Sequence, residues 1–545
     1  MKNFLRIFLP LAVLAAALTA CGPDQPKNNP EIEKYVAAHP YVAALGDDAP
    51  VLVKLQPLAL FEKSGFAKDP EFALLREELL GDTDAMTRMM VENVMNDFTV
   101  LGLDPKNPIY FSVSNIDYSY EPRFDSDPLE DSELSADIYG VLPLTDREKL
   151  ISYIVMANED FKADEEGRYL FAMSDAGFLI AEKAVIFYFG LDRNRMPDEV
   201  KQLLLDAEKK QTLINLRPGA GSFFTRNDDI SLWADAAGVK GELEEFLQQV
   251  SGEFQPNFQD LLGGDIFAGT AGLISLNSYP GKVELRAESF GSNALSERVR
   301  SWVAVPNRDR LDYLPTKAQL AFTFAFSNLS DALAYTQEVL ERSGEAEGVN
   351  LPSVLGAFGV EPQDLDGIGT VVGGVKVGDG TISWIVALEV GDKLLETAET
   401  GVAFLELAED PDYPEVYLAG DDTCLRLIDG IIFVGSQDLI FEIGPGGLFG
   451  EDFLHLNPIA DDMGYMALAL DDPIIFAPFE DEDLMAIGTA VSEHFRVLNL
   501  AKEPGCDAIA LTLHGNDNTQ GIKALLQLLI ETWGEFDTPF NRVIY

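Results

Sequence analysis

The segment that decides the fold class is YLFAMSDAGFLIAEKAVIFYF, residues 169–189. It contains three apolar runs, over 169–173, 178–181 and 185–189, which are short and rich in aromatic and aliphatic residues. Turn-forming residues separate the runs, and Ser-Asp-Ala-Gly at 174–177 forms the first turn. Short apolar runs joined by tight turns are typical of antiparallel hairpins. The segment therefore predicts three consecutive strands of an antiparallel sheet.

Helical patterns lie on both sides of these hairpins. Residues 147–158 follow Asp146, a suitable N-cap, and residues 197–209 have apolar residues at helical spacing. Further strands are expected over 108–115 and 136–144. Because strands adjoin hairpin partners and helices cross between them, the pattern predicts an α+β fold. We expect a largely antiparallel, twisted sheet with helices packed on one face.

The second half of the chain resembles the first. Leu-Gly-Leu-Asp-Pro at 101–105 matches Phe-Gly-Val-Glu-Pro at 358–362, and other matches keep the same order while their spacing only shrinks along the chain. Small deletions in a second copy would produce this trend, so we expect a tandem duplication with copies over 45–305 and 313–545. Two unrelated α+β domains with similar patterning are the alternative. A final apolar helix over 521–536 is expected to cap the second sheet.

The N-terminus has the pattern of an export signal. After a basic start, residues 7–18 form an apolar stretch that is too short to span a membrane comfortably. The stretch ends in Leu-Thr-Ala-Cys at 18–21, which resembles the lipobox of bacterial lipoproteins. This resemblance implies that residues 1–20 are a lipoprotein signal peptide and that Cys21 receives the lipid. The alternatives are an ordinary secretory signal and an uncleaved anchor.

The segment after the lipobox is expected to be a flexible tether over residues 21–44. Its beginning is polar and rich in proline, so it buries little apolar surface. Acyl chains on Cys21 would make the membrane the first partner of the protein. Gly22 follows the cysteine where Asp would favour the inner membrane, by analogy with enteric bacteria. The sequence therefore predicts an exported protein that is lipid-anchored to the outer membrane, on its periplasmic or its surface face.

The composition is that of a large and strongly acidic globular chain. It has 545 residues, of which 47% are hydrophobic, enough for a sizeable core. Lys and Arg number 39 against 91 Asp and Glu, which gives a net charge of −52. A surface of this charge repels nucleic acid and anionic headgroups, so we expect no nucleic-acid partner. The charge would attract cations or basic partners, or it reflects adaptation to salty surroundings.

Two cysteines follow Cys21 in the chain, Cys424 and Cys506. They lie far apart in the sequence, and an exported compartment permits disulfides. A disulfide between them and two buried thiols are both compatible with the sequence, because spacing along the chain does not determine geometry.

No catalytic or cofactor-binding motif is present in the sequence. The four histidines form no pair at metal-ligand spacing, and no glycine-rich loop matches a dinucleotide or phosphate fingerprint. The acidic residues Asp125, Asp127 and Asp131 lie together in a loop of the first copy. Crowded carboxylates are ligands for Ca²⁺, although their spacing here matches no calcium loop. We expect no catalytic residues and no cofactor, with Ca²⁺ at these aspartates as the candidate metal.

The opening of the folded part resembles a known family. DDAPVLVKLQPL at 47–58, followed by FEKSG at 61–65, is similar to the start of an uncharacterised exported lipoprotein family of Bacteroidetes-type bacteria, a domain of unknown function. The strand at 108–114 and the hairpins at 169–189 also resemble that family. The resemblance implies an exported lipoprotein and brings no catalytic residues with it.

These features together predict a membrane-anchored cell-envelope lipoprotein whose folded part is a non-enzymatic binding or scaffolding module. Its expected protein partner is another envelope protein. The alternative is an envelope or extracellular hydrolase, in which two Asp or Glu side chains from distant strands act as a carboxylate pair.

Overall fold

The structure of the protein is a computed structural model that describes the greater part of the chain from residue 30 to residue 532. The described residues are 30–46, 49–80, 85–120, 132–157, 161–193, 195–210, 219–239, 269–291, 294–307, 318–343, 350–357, 359–378, 381–404, 407–413, 415–420, 422–443, 464–470, 482–502 and 508–532. Within these ranges, no helix has the length and apolar character that crossing a membrane requires.

The described residues divide into two compact units. Unit 1 contains those up to 239, together with 269–279 and 285–291. Unit 2 contains residues 280–284 and those from 294 onward. Both units mix helices with antiparallel strands, as the sequence predicts for an α+β fold.

The strands of unit 1 form an open antiparallel sheet. They are β1 (Val51–Leu55), β2 (Ile109–Tyr120), β3 (Ser132–Pro143), β4 (Tyr169–Ala172), β5 (Ala176–Ile180), β6 (Ala184–Leu191), β7 (Ile230–Asp235) and β8 (Ala271–Tyr279), and β9 (Lys282–Phe290) has residues in both units. Their order across the sheet is β8-β7-β1-β2-β3-β6-β5-β4. The three strands predicted within residues 169–189 are confirmed as β4, β5 and β6, which pair as consecutive hairpins.

The helices of unit 1 lie between the strands in the chain, apart from the first helix, which precedes β1. They are α1 (Pro30–Ala38), α2 (Pro57–Ser64), α3 (Ala73–Leu80), α4 (Ala85–Asn96), α5 (Arg147–Ala157), α6 (Pro197–Lys209) and α7 (Ala220–Thr225). The start of α6 follows from its sequence. Pro197 occupies the first turn, and the Glu199 carboxylate accepts a hydrogen bond from the Met196 amide at 3.1 Å. Acidic residues in the first turn also complement the helix dipole.

Helices cover both faces of the sheet in unit 1. Leu179 belongs to the buried cluster that contains Val200 and Leu204 of α6. Its neighbour Ile180 belongs to a different cluster, with Leu150 of α5. Because successive side chains of a strand point to opposite faces, α5 and α6 lie on opposite sides of the sheet. The prediction of helices on one face is therefore not confirmed.

The strands of unit 2 form a second run of antiparallel pairs. They are β10 (Val303–Ala304), β11 (Leu320–Phe326), β12 (Thr370–Gly378), β13 (Thr381–Glu389), β14 (Ala408–Glu409), β15 (Val416–Leu418), β16 (Thr423–Ile428), β17 (Ile431–Ser436), β18 (Gly464–Ala469), β19 (Phe495–Lys502) and β20 (Ala508–Gly515). Their order is β20-β19-β18-β11-β12-β13-β17-β16-β15-β14, and β10 pairs with the end of β11.

The helices of unit 2 include the predicted terminal cap. They are α8 (Ala294–Ser301), α9 (Leu329–Ser343), α10 (Leu351–Ala357), α11 (Asp392–Phe404), α12 (Gln437–Glu442), α13 (Glu482–His494) and α14 (Gly521–Thr532). Leu525 and Leu528 of α14 pack against a buried cluster that also draws in Leu468, Leu498 and Leu513 of the sheet. The prediction that this helix packs on the second sheet is confirmed, and residues 533–536 of the predicted helix lie outside the described residues.

Candidate functional site

Most residues for which the sequence predicts a site lie outside the described residues. They are Cys21, Asp125, Asp127, Asp131 and Cys506. Lipid attachment at the first cysteine and Ca²⁺ at the aspartates therefore stay predictions. In the part of the chain that the structure does describe, no three His, Cys, Asp or Glu side chains are grouped so as to hold a metal ion.

Cys424 is the described member of the two cysteines for which the sequence permits either a disulfide or two buried thiols. It is buried in β16, and burial raises the pKa of its thiol. A raised pKa keeps the sulfur in its unreactive protonated form. Because Cys506 lies outside the described residues, the disulfide and the two buried thiols both stay open.

Two of the histidines are held by neutral partners. His39 Nδ1 lies 3.1 Å from the Tyr41 hydroxyl, and His514 Nε2 lies 3.1 Å from Nδ2 of Asn499. Burial lowers the pKa of both imidazoles, so the neutral form is favoured near pH 7. These contacts are those of hydrogen-bonded, partly buried residues.

The most unusual ionisable group in unit 1 is Lys54 of β1. Its side chain is fully buried, at 0% exposure. The Nζ atom donates hydrogen bonds of 2.7 Å to the carbonyls of Phe223 and Arg226, and lies 5.5 Å from the centroid of the Phe223 ring. Both carbonyls lie at the C-terminal end of α7, where the last helical carbonyls have no partner within the helix. Lys54 thus holds the end of α7 against the sheet.

Burial lowers the pKa of Lys54 to about 8, because removing an ammonium group from water disfavours its charged form. Attraction to Asp228 raises that pKa, and repulsion from Arg226 lowers it further. The sequence contained the signal for this group, since a lysine interrupts the apolar run VLVKL at 51–55. The sequence did not show that the ammonium group donates its hydrogen bonds to two main-chain carbonyls at the end of a distant helix.

Two buried carboxylates lie near the start of β7, and each has its own set of donors. Asp228 accepts hydrogen bonds from Asn277 Nδ2 at 3.0 Å and from the Ser231 hydroxyl at 3.1 Å. Asp229 accepts from Lys63 Nζ at 2.6 and 2.7 Å and from the Ser278 amide at 2.8 Å. A hydrolytic pair needs one carboxyl that protonates the leaving group and one that acts on substrate or water. In this structure, both Asp228 and Asp229 instead accept hydrogen bonds from side chains and amides of the protein itself.

A third buried carboxylate, Asp137 of β3, has the most donors. Arg195 Nη2 donates to both carboxylate oxygens at 2.7 and 2.9 Å, the Tyr188 hydroxyl donates at 2.6 Å, and Asn115 Nδ2 donates at 2.7 Å. Burial alone would raise the pKa of Asp137, but these hydrogen bonds outweigh it and hold the pKa below its usual value. The residues come from β2, β3, β6 and the approach to α6, so the sequence showed no sign that they meet.

A small cavity lies between α3 and α4, with a volume of about 250 Å³. Its charged lining is engaged within the protein. Arg76 donates to the carbonyls of Phe66 and Asp69, and Arg88 forms ion pairs with Glu77 and with Glu92. Both arginines of the cavity lining therefore already have hydrogen-bond or ion-pair partners within the protein.

The sheet of unit 2 has two unlike faces. Residues directly opposite one another on antiparallel strands share a face, and the face alternates along each strand. Ala321, Ala467, Asn499 and Thr512 are such neighbours on β11, β18, β19 and β20. All four are buried. Small and polar residues thus build the buried face of this part of the sheet.

We call the opposite side of the unit 2 sheet the apolar face, because large apolar side chains occupy its positions. Its residues are Leu320, Phe322, Phe324, Val371, Val375, Val377, Ile382, Trp384, Val386, Leu388, Leu425, Leu427, Ile432, Val434, Met466, Leu468, Leu498, Leu500, Ile509, Leu511 and Leu513. None of them is fully buried. Phe324, Ile382 and Trp384 expose 42%, 55% and 37% of their surface.

The ring of Phe322 lies flat on the apolar face. It covers Gly373 of the neighbouring strand, where a Cβ atom would come within 2.1 Å of the ring. Glycine at this position lets the ring lie against the backbone.

Unit 1 offers an internal contrast to the apolar face. There, Ile180 and Val185 form a buried cluster with Leu150 and Ile151 of α5, so a helix fills that side of the sheet. In unit 2, α14 packs against the β18–β20 end of the apolar face. None of the side chains described for α9, α10 and α11 is buried. The apolar face is therefore filled at one end and left partly exposed over β11–β13.

Comparisons with known proteins do not identify a family. No protein-family model matches the chain, and no curated protein is similar to it. Similar solved structures include two crystal forms of TP0453. Crystal form III is 12% identical over 49% of this chain and 88% of that one, with a TM-score of 0.24, and crystal form IV is 13% identical over 45% and 79%, with a TM-score of 0.23. Similarities this weak carry no argument about fold or function.

Proposed function

We propose that this protein is a membrane-anchored cell-envelope lipoprotein whose folded part is a non-enzymatic binding or scaffolding module. The observation that carries the binding role is the apolar face of unit 2. Soluble proteins rarely leave a contiguous surface of large apolar side chains open, and such surfaces mark interaction sites. The lipobox pattern ending at Cys21 carries the anchoring role.

The partners of the buried charged side chains indicate that these groups stabilise the fold. Lys54, Asp137, Asp228 and Asp229 are the charged side chains that the structure describes as buried, and each is hydrogen-bonded within the protein. Groups that satisfy one another stabilise the fold and hold its elements in place. This arrangement favours a binding module over the carboxylate-pair hydrolase.

We also propose that the two units arose by tandem duplication. The strand order β8-β7-β1-β2-β3-β6-β5-β4 of unit 1 has the same connectivity as β19-β18-β11-β12-β13-β17-β16-β15 of unit 2. The matched segments 101–105 and 358–362 precede β2 and β12, which occupy equivalent places in the two orders. A shared order of eight strands supports a common origin more strongly than the short sequence matches do.

Metabolic labelling with palmitate tests the anchoring part of the proposal. The full chain, expressed in a bacterium with an outer membrane, is expected to take up label and to fractionate with the outer membrane. Cys21→Ser is expected to lose both the label and the membrane association. An unlabelled wild-type chain, or label that persists in the variant, would contradict the proposal.

Crosslinking in the same cells tests the binding role. A tagged chain is recovered after crosslinking, and its partners are identified by mass spectrometry, with Cys21→Ser as the control. A stoichiometric envelope partner that depends on the anchor is the expected result for a scaffold. Catalytic turnover of an envelope polymer, abolished by Asp228→Asn alone, would instead support the hydrolase.

A further inference from the structure

The open part of the apolar face lies over three interior strands, β11, β12 and β13. Phe324, Ile382 and Trp384 expose 42%, 55% and 37% of their surface there. β11 pairs with both β12 and β18, and β13 pairs with both β12 and β17. Because interior strands use their main-chain hydrogen bonds within the sheet, an extended peptide finds no free strand edge at this place. A protein segment that covers the open part must therefore satisfy its own amides.

A helix meets this requirement, because its main-chain groups pair within the helix. The same face already holds one helix at its other end. Leu525 and Leu528 of α14 pack there against a buried cluster that also draws in apolar residues of β18, β19 and β20. In unit 1, α5 packs on a sheet face in the same way. The fold itself thus shows which type of segment this kind of surface accepts.

The length of the open part suits a helix of three to four turns. Ile382 and Leu388 are the first and last residues that β13 contributes to the apolar face. The six steps between them span roughly 20 Å at about 3.3 Å per residue. At about 1.5 Å per residue, a helix covers this distance with about 13 residues. The neighbouring α14 has 12 residues.

Acidic residues collect at one end of the open part. β11 and β13 both run antiparallel to β12, so they end at the same side of the sheet. The connections that leave the two strands are joined there by a hydrogen bond of 2.9 Å from the Gly391 amide to the Gly367 carbonyl. The acidic residues near this junction are Glu361, Asp364, Asp366 and Asp392.

The recorded partners of these carboxylates are neutral. Asp366 accepts hydrogen bonds from the amide and the hydroxyl of Ser330 at 2.8 and 2.7 Å, and Asp364 accepts from the Glu361 amide at 2.8 Å. A neutral donor leaves the negative charge uncompensated, and the whole chain has the same sign, at −52. A negative potential attracts cations and repels anions. The charge therefore favours a basic partner.

We propose that the apolar face over β11–β13 binds a basic amphipathic helix of a partner protein. Its apolar side, with residues at i, i+3, i+4 and i+7, lies on the sheet, and its Lys and Arg side chains face the acidic end. Trp384 gives this interface a large ring with one N–H donor, and tryptophan is enriched where binding energy is concentrated. The inference rests on the proposed binding role of the folded part, and it names the chemistry of the partner.

Matched peptides of about 14 residues test the chemistry of the partner. The first has Leu along one helical side and Lys elsewhere, the second has Glu in place of every Lys, and the third has Leu and Lys in strict alternation. Each carries a rhodamine label, and fluorescence anisotropy follows its binding to the full chain carrying Cys21→Ser. In about 0.3 M NaCl, charges more than roughly 6 Å apart are largely screened. We expect saturable binding of the first peptide and binding of the other two that is weaker by about tenfold or more.

Matched serine substitutions locate the binding. Ile382→Ser and Trp384→Ser remove apolar area from the face and should each weaken binding of the first peptide by about tenfold. Met89 exposes 53% of its surface on α4 of unit 1, close to the 55% of Ile382. Met89→Ser should leave binding unchanged. Serine is neutral, so all variants keep the same net charge, and circular dichroism checks that each one folds.

Three results would overturn the inference. The first is that the Leu and Lys peptide does not bind. The second is equal binding of the three peptides, or binding that Ile382→Ser and Trp384→Ser leave unchanged, since the acidic surface as a whole would then attract the peptide. The third is a dimer in sedimentation equilibrium that Ile382→Ser dissociates, since a second copy would then cover the face.

Failure of this inference is distinguishable from failure of the proposed function. A stoichiometric envelope partner recovered by crosslinking would keep the binding role even if the apolar face bound no basic helix. Palmitate labelling at Cys21 tests the anchor, and the peptide titrations do not depend on it because they use the Cys21→Ser chain.

Discussion

At the scale of single residues, the buried charges of unit 1 show how side chains join elements that are distant in the sequence. Lys54 of β1 donates hydrogen bonds to carbonyls at the end of α7, and Asp137 of β3 accepts hydrogen bonds from β2, from β6 and from Arg195 just before α6. A buried charge stabilises a fold only when its partners satisfy it. Both groups have a lowered pKa in the folded protein, so both make the free energy of unfolding rise with pH, Lys54 in the alkaline range and Asp137 in the acidic range.

The lowered pKa of Lys54 predicts that the free energy of unfolding increases at alkaline pH. Its pKa is about 8 in the folded protein and 10.5 as the ordinary value. The unfolded chain therefore binds more protons between these values, and the free energy of unfolding rises with pH across the window, by up to about 3 kcal/mol in total. Denaturant titrations from pH 7.5 to about pH 10 measure the rise. Lys54→Met should lack it, and a variant that keeps the full rise would contradict the assignment.

The lowered pKa of Asp137 predicts that the free energy of unfolding decreases in acid. Its pKa is held below the ordinary value of 3.8, so its contribution is present above that value and disappears as the pH falls below it. Asp137→Asn leaves Arg195 and its neighbours without their carboxylate and should cost about 3 kcal/mol at pH 7. Tyr188→Phe removes a single donor and should cost about 1 kcal/mol. Urea titration checks both values, and equal costs would argue against the carboxylate as the centre of the network.

At the scale of elements, local sequence determines where helices and strands begin and end. The predicted strands within 169–189 and the predicted helix 197–209 appear as β4–β6 and α6. The turn between β16 and β17 has Asp429 and Gly430 in the left-handed region, at φ 48° and 79°. Asp-Gly with both residues at positive φ forms a type I′ turn, whose twist matches that of the paired strands.

Two glycine substitutions should change stability in opposite directions. Gly430→Ala forces a side chain into the left-handed region and should lower the free energy of unfolding by about 1 kcal/mol. Gly401 lies inside α11, and an added Cβ there would meet nothing within 4 Å. Gly401→Ala should therefore raise stability by up to about 1 kcal/mol, because alanine favours the helix. Thermal and urea unfolding of the two variants measure the signs, and the same sign in both would refute the argument.

At the scale of the whole molecule, the net charge of −52 sets how the protein responds to salt. Repulsion among like charges destabilises the compact state, and salt screens it, since the Debye length falls from about 10 Å at 0.1 M to about 3 Å at 1 M. The melting temperature should rise by roughly 3 °C or more over this range. Circular dichroism in NaCl measures the rise, with the same concentrations of sucrose as an uncharged control. A melting temperature that salt leaves unchanged would contradict repulsion among like charges as a destabilising contribution.

The sequence by itself determined the antiparallel α+β character, the hairpins at β4–β6 and the helix α6, because turn residues and apolar periodicity act over short stretches. It also showed the export pattern before Cys21 and a lysine inside an apolar strand. Each of these signals is local, so it can be interpreted without knowing which segments meet.

Only the tertiary structure decided which partners the buried charges find and which face of the second sheet stays open. Asp137 meets Arg195 and Tyr188 because β3 pairs with β6, and no periodicity in the chain records that pairing. Likewise, Ile180 of unit 1 is covered by α5, whereas Trp384 of unit 2 is left exposed, although both belong to apolar strands. An apolar strand is equally suited to a filled face and an open one, because burial depends on what packs against it rather than on its own sequence.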